Sequence, residues 1–251
     1  MNMKSKMFIL RKISLIFLMI SIYGTPGLAQ EPHNTIRRSL VYIVAEAKGA
    51  SGVQTGVLKK AYSTGFIVAS DGLILTVYHL IRELGDIVPE TLKIHGHISE
   101  KNATSRRCAI IDASPNTDLL LLKIPPGVNE YPAVVIGNAV NHSDAESIFT
   151  SGFPKTVTYR KQKDKIEARE GPGGYLWATG FRSIYGESGS PVYNRNAEIV
   201  GIIKGSEGPT TYFIPVEFAN TLLVSVKLNS IQEQLDSTIM RVDKLEKRKA
   251  P

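Results

Sequence analysis

The chain has 251 residues, 43% of them hydrophobic and 21% charged, with one cysteine and a formal net charge of +7. Four of the positive charges, Lys4, Lys6, Arg11 and Lys12, and no acidic residue precede Gln30, leaving 7 − 4 = +3 on the remainder. So small a balance gives no case for nucleic acid, which asks for a concentrated basic patch or a recognisable module, and a lone Cys108 excludes an internal disulfide, so that folding rests on the hydrophobic core.

The four cations are followed by the apolar run Ile13 to Tyr23 and by Gly24-Thr25-Pro26-Gly27-Leu28-Ala29. This is the pattern of a secretory signal peptide over 1–29, cut before Gln30. The apolar run is well short of the roughly 20 residues that span a bilayer. Export to the periplasm or the exterior, without a stable membrane anchor, is therefore the expectation. Residues 30–38 read as a polar leader.

From Ser39 to about Pro215 short apolar runs alternate with turn residues, the signature of an all-β protein. Gly65 to Ala69 and Leu73 to Thr76, joined by Ser70-Asp71-Gly72, read as a hairpin in which Asp-Gly supplies a tight primed turn. Further strands are expected over Leu92 to His97, Arg107 to Asp112, Leu119 to Ile124, Ser147 to Gly152, Tyr175 to Phe181, Glu198 to Lys204 and Thr210 to Ile214. No helical period intervenes, which disfavours a parallel βαβ architecture. Pro125-Pro126-Gly127 and Pro132 divide the region into halves of similar size, 39–128 and 129–217. Beyond Phe218 the period changes to helix: Thr221, Val224, Leu228, Ile231, Leu235, Thr238, Val242 and Leu245 recur at three- and four-residue spacing. Over 218–251 the stripe is either a coiled-coil seam that joins copies into a homo-oligomer or the inner face of a helix lying on its own barrel.

Three strings carry chemistry: Thr76-Val77-Tyr78-His79, Thr117-Asp118-Leu119-Leu120 and Gly186-Glu187-Ser188-Gly189-Ser190-Pro191. A serine hydroxyl is a weak nucleophile that needs a base within hydrogen-bond reach and a third group to orient the base. Ser188 lies between glycines that let the backbone approach a substrate, and the Gly186 and Ser188 amides are placed to serve as an oxyanion hole. Of the five histidines, only His79 ends an apolar strand; His33 is in the leader, and His142 is in a turn. His95 and His97 share strand spacing, but no third metal ligand accompanies them, and no metal or other cofactor is expected. Asp118 opens the apolar run of a buried strand and is the candidate to hold the histidine, ahead of Asp112 and Asp86. The order His, Asp, Ser excludes an α/β-hydrolase, whose histidine follows its serine, and a subtilisin-like plan, whose aspartate comes first.

With these motifs the chain, from about Ser39 to Asn220, resembles trypsin-like serine endopeptidases, in particular the exported bacterial branch related to HtrA (Deg) proteases. Ser63 to His79, Thr117 to Ile124 and Gly186 to Pro191 are similar to the histidine, aspartate and serine segments of that family. The resemblance implies two six-stranded antiparallel β-barrels, and hydrolysis of protein or peptide substrates by His79, Asp118 and Ser188 through an acyl-enzyme. It also implies a specificity pocket with its base near Arg182 and a wall near Lys204; a cation there would favour an acidic residue before the scissile bond. Ser190 stands where the family has a second glycine, and Glu187 where Asp or Asn is common. A PDZ domain is not expected, because about 31 residues follow Asn220. The competing reading is a protease-like binding or scaffold module that cleaves nothing.

Overall fold

The computed structural model describes residues 32–127, 130–156 and 158–249, so the leader expected at 1–29 lies outside the described residues. Strands β1 (Leu40–Lys48), β2 (Leu58–Ala69), β3 (Leu73–Val77), β4 (Lys93–Ile98), β5 (Arg106–Ser114) and β6 (Leu119–Lys123) form a closed barrel in the order β1-β2-β3-β6-β5-β4. The second half comprises β7 (Val135–Ile136), β8 (Ile148–Gly152), β9 (Arg160–Asp164), β10 (Ile166–Ala168), β11 (Trp177–Thr179), β12 (Pro191–Tyr193), β13 (Glu198–Glu207) and β14 (Thr210–Pro215). Its path is β10-β11-β14-β13-β12-β8-β9, with β7 added in parallel to β13. The all-β, two-barrel fold class holds. Among the described residues the second half departs from six antiparallel strands in having eight, one of them parallel, on a curled sheet.

The continuous run Leu119-Leu120-Leu121-Leu122 has a physical reason in this arrangement. Successive side chains of a strand point to opposite faces. Leu120 and Leu122 fill the first barrel with Val41, Ile43, Ile67 and Ile74. Leu119 and Leu121 face outward into a second core with Leu40, Phe66, Leu75 and Val77, shared with Phe149, Phe153, Tyr193, Ile202 and Ile214 of the other half. Each barrel therefore buries its neighbour's outer face. A third cluster, with Ile148, Trp177, Phe181, Val200 and Phe213, fills the second half.

Two local expectations change. Only Gly72 of the β2–β3 turn has positive φ (92°), and the register shifts between Ile67 and Ala69. The turn is thus a three-residue loop ending in a left-handed glycine rather than a two-residue primed turn. The segment read as a polar leader forms α1 (Pro32–Arg37), which buries His33 and Ile36. The His33 Nδ1 lies 2.5 Å from the Tyr193 hydroxyl, so a residue that reads as polar in sequence is anchored in the inter-barrel core. Strand β9, Arg-Lys-Gln-Lys-Asp, has no apolar residue and among the described residues pairs only with β8, as an edge strand with charged side chains does.

After β14 the chain enters α3 (Glu217–Lys249). Ala219 and Leu222 are buried against the barrels, but Val224, Leu228, Ile231 and Leu235 are exposed. Among the described residues, no helix is long and apolar enough to cross a membrane.

Candidate active site

Strand geometry brings the first two site residues together. Leu75 and Val77 of β3 face the inter-barrel core, and β3 pairs with β6 through Val77 and Leu119. His79, two residues beyond Val77, and Asp118, immediately before Leu119, both stand just past this last rung. His79 then opens a single turn of helix, α2 (His79–Arg82).

Asp118 turns through a left-handed backbone conformation (φ 60°), one that Asp tolerates better than most residues. Its carboxylate is thereby directed at the histidine. Oδ2 lies 2.7 Å from the His79 Nδ1, Oδ1 accepts the His79 backbone N–H at 2.8 Å, and the Asp118 carbonyl accepts the Tyr78 N–H at 3.0 Å. A carboxylate can only accept, so Nδ1 carries a proton, and in the neutral ring Nε2 is the acceptor. Asp118 is 3% exposed, and its two oxygens are both engaged. The rival carboxylates are committed elsewhere: Asp112 to Ala113 N–H and the Ser225 hydroxyl, Asp86 to the Ser51 hydroxyl.

Nε2 of His79 has Glu83 Oε1 at 3.9 Å, beyond hydrogen-bond length. Glu83 also borders Tyr185, whose phenol is pushed up first by burial and then by this carboxylate. Tyr185 directly precedes Gly186 and stacks edge-on against Tyr62, and the Lys155 ammonium lies over both rings.

Ser188 comes from the opposite half, in the loop between β11 and β12. The loop crosses to β2: the Thr64 N–H donates to the Ser188 carbonyl at 2.9 Å, and the Thr64 hydroxyl donates to the Gly186 carbonyl at 2.9 Å. The same hydroxyl accepts the Phe153 N–H at 2.9 Å. Gly186 has φ 96°, and a Cβ there would meet Lys155 N at 2.8 Å and Phe153 O at 2.9 Å, so only glycine fits. With these carbonyls taken, neither the Gly186 nor the Ser188 amide has an acceptor among the described residues. Two unused N–H groups beside a half-buried serine are what an incoming oxyanion needs. The Ser188 hydroxyl likewise has no hydrogen-bond partner among the described residues.

Ser190, the departure from the glycine pattern, is 1% exposed, and its Oγ lies in the space above Gly152, where a Cβ would collide with it. The extra hydroxymethyl group is thus accommodated by a glycine on β8, at the cost of an Oγ without a hydrogen-bond partner among the described residues. Ser190 N–H still donates to the Glu187 carbonyl at 2.9 Å, so the loop backbone keeps its turn.

A family model described as the trypsin-like peptidase domain matches residues 63–202, which includes all three site segments. The chain belongs to the trypsin-like peptidase family. Within it, the chain is 25% identical over 180 residues to a protein named serine protease HTRA1A from Danio rerio, an alignment covering 68% of this chain and 33% of that protein. It is 25% identical over 187 residues to a probable periplasmic serine endoprotease, DegP-like, from Pseudomonas putida (strain W619), covering 72% and 36%. The chain thus spans about a third of the length of the curated relatives it matches. The crystal structure of Deg5 shares the fold, with a TM-score of 0.61 at 21% identity over 76% of this chain and 89% of that one.

The two residues expected at the specificity pocket have different surroundings. Arg182 is exposed and lines a cavity of about 350 Å³ with Ser183, Ser206, Gly208 and Pro209. The Lys204 amine lies 3.3 Å from the Tyr175 hydroxyl and over that ring. His95 and His97 meet the Ser105 hydroxyl and the Ala103 carbonyl within their own hairpin. Sequence reasoning missed Thr64 as the cross-barrel link and Arg160 as the partner of Glu187. Thr64 lies within the quoted histidine segment, but nothing in its neighbours says that its hydroxyl reaches 122 residues along the chain.

Proposed function

We propose that this chain is an exported serine endopeptidase in which His79 is general base and then acid, Asp118 orients it, and Ser188 forms the acyl-enzyme. The observation that carries this reading is the His79–Asp118 pair, which leaves Nε2 of the neutral ring as the acceptor, together with a serine loop whose Gly186 and Ser188 amides have no acceptor among the described residues. On attack, the Ser188 proton passes to Nε2, the carbonyl oxygen becomes an oxyanion bonded by the Gly186 and Ser188 N–H groups, and the imidazolium then protonates the leaving amine. Each such donor is worth about 2.7 to 4 kcal/mol in the transition state. Protein or peptide substrates follow from this chemistry and from the names of the relatives. Export rests on the charge and apolar pattern of 1–29 and on relatives named periplasmic.

Casein digestion tests the reading: the wild type cleaves it and Ser188→Ala does not, whereas equal cleavage by both refutes the assignment. A binding or scaffold module remains the competing reading, favoured by the Ser188 hydroxyl making no bond to His79. Hydrogen bonds of this kind often tighten only when substrate closes the site. The exposed stripe Val224, Leu228, Ile231 and Leu235 further supports a homo-oligomer joined through α3. Light scattering of the chain truncated after Lys227 checks it: assembly lost on truncation supports the seam, and a monomer before and after removes it.

A further inference from the structure

Edge strand β9 holds the serine loop from behind. Arg160, its first residue, sends Nη1 to Glu187 Oε2 at 3.0 Å and to the Arg182 carbonyl at 2.6 Å, and Nη2 to the Gln162 side-chain oxygen at 3.1 Å. That same oxygen of Gln162 accepts the Arg182 N–H at 2.9 Å, so side chains of β9 engage the residue on both sides of its α-carbon. Glu187 closes the other end of the segment: its Oε2 accepts the Ile184 N–H at 2.9 Å, while its own N–H donates to the Ile184 carbonyl at 2.9 Å. The side chain of Glu187 is 5% exposed and that of Arg160 29%. The stretch Arg182 to Glu187, which carries Gly186 and runs into Ser188, is thus held by Arg160 and Gln162 at one end and by Glu187 at the other, with Arg160 bonded to both ends.

We propose that Arg160 is a positioning residue for the oxyanion loop, acting through Glu187, and that its ion pair fixes the direction of the Gly186 and Ser188 amides. The proposal rests on the serine endopeptidase reading and adds to it a residue that touches neither substrate nor nucleophile. Burial pushes the Glu187 carboxyl up, and the Ile184 amide and Arg160 pull it back. Without the guanidinium, a carboxylate facing the protein interior has lost its compensating charge and is drawn toward water. Glu187 lies between the two amides in sequence, so its departure turns both away from a common point. The effect belongs in kcat, because the oxyanion exists only in the transition state.

The test is steady-state cleavage of fluorescein-labelled casein by the wild type, Arg160→Met and Arg160→Met/Glu187→Gln, with turnover normalised to folded protein. Arg160→Met is expected to lower kcat about 100-fold, the size of a lost oxyanion donor, with KM within about threefold. The double variant, which leaves no buried charge to compensate, recovers at least about tenfold of that loss. A kcat within about threefold of wild type in Arg160→Met, a loss carried by KM, or a double variant no faster than the single overturns the proposal. Should Arg160→Met not fold, the double variant decides alone: folded and active supports the charge-compensation role, and inactive overturns it. A wild type that does not cleave casein overturns the protease reading and this proposal with it.

Discussion

The first barrel closes on itself and presents His79 and Asp118 already bonded to each other, whereas the curled second sheet presents Ser188 on a loop held from outside. The difference is one of support. His79 and Asp118 follow directly from the last rung of a paired hydrophobic ladder, so barrel packing aims them. The serine loop has glycines where it must pass close to other chain segments, and it borrows its rigidity from Thr64 of β2 and Arg160 of β9. A base is oriented by one good partner, but an oxyanion hole requires backbone amides, and backbone is directed only by fixing the groups on either side of it.

Substitutions in the two halves separate these kinds of support. In the first barrel, Asp118→Asn presents an amide donor to Nδ1 and moves the imidazole proton to Nε2, so turnover is expected to fall by about 10⁴-fold with folding intact. A loss of less than about tenfold would mean that the pair is not what orients His79. Across the boundary, Thr64→Val removes the hydroxyl that serves the Gly186 carbonyl and the Phe153 N–H, both of them buried. Urea unfolding is expected to show a loss of about 2 to 4 kcal/mol, the cost of two unsatisfied groups. An unchanged midpoint would place the loop's support elsewhere. The smallest effect concerns the closed interior of the first barrel. Burial raises the Cys108 thiol to about 12, so at pH 8 the thiolate needed for alkylation is scarce as well as inaccessible. Iodoacetamide is expected to modify the native chain at least about 100-fold more slowly than the urea-unfolded chain, and equal rates would show that this barrel opens readily.

What the sequence made legible follows the same division. Asp118 could be read because Leu119 to Leu122 advertise a buried strand, and His79 because Leu73 to Val77 do the same. Ser188 could be read because its glycines mark close backbone approach. Arg160 could not, because Arg-Lys-Gln-Lys-Asp looks like a solvated loop, and only its pairing with Ile148 to Gly152 makes it a strand. Gly152 was equally silent: its lack of a Cβ matters only against Ser190, 38 residues later. His33 was misjudged for a related reason, since a polar residue near a terminus carries no sign that Tyr193 awaits it. Lys204 was named from the family resemblance alone, and nothing in the sequence says that its amine rests on the Tyr175 ring.

The proposed function requires Ser188 to be a nucleophile activated by His79. Labelling with a biotinylated fluorophosphonate, followed by peptide mapping, measures this directly. The label is expected on Ser188 in the wild type and absent from His79→Ala and Ser188→Ala. A wild type that stays unlabelled, or a His79→Ala variant labelled on Ser188 at the wild-type rate, would contradict it.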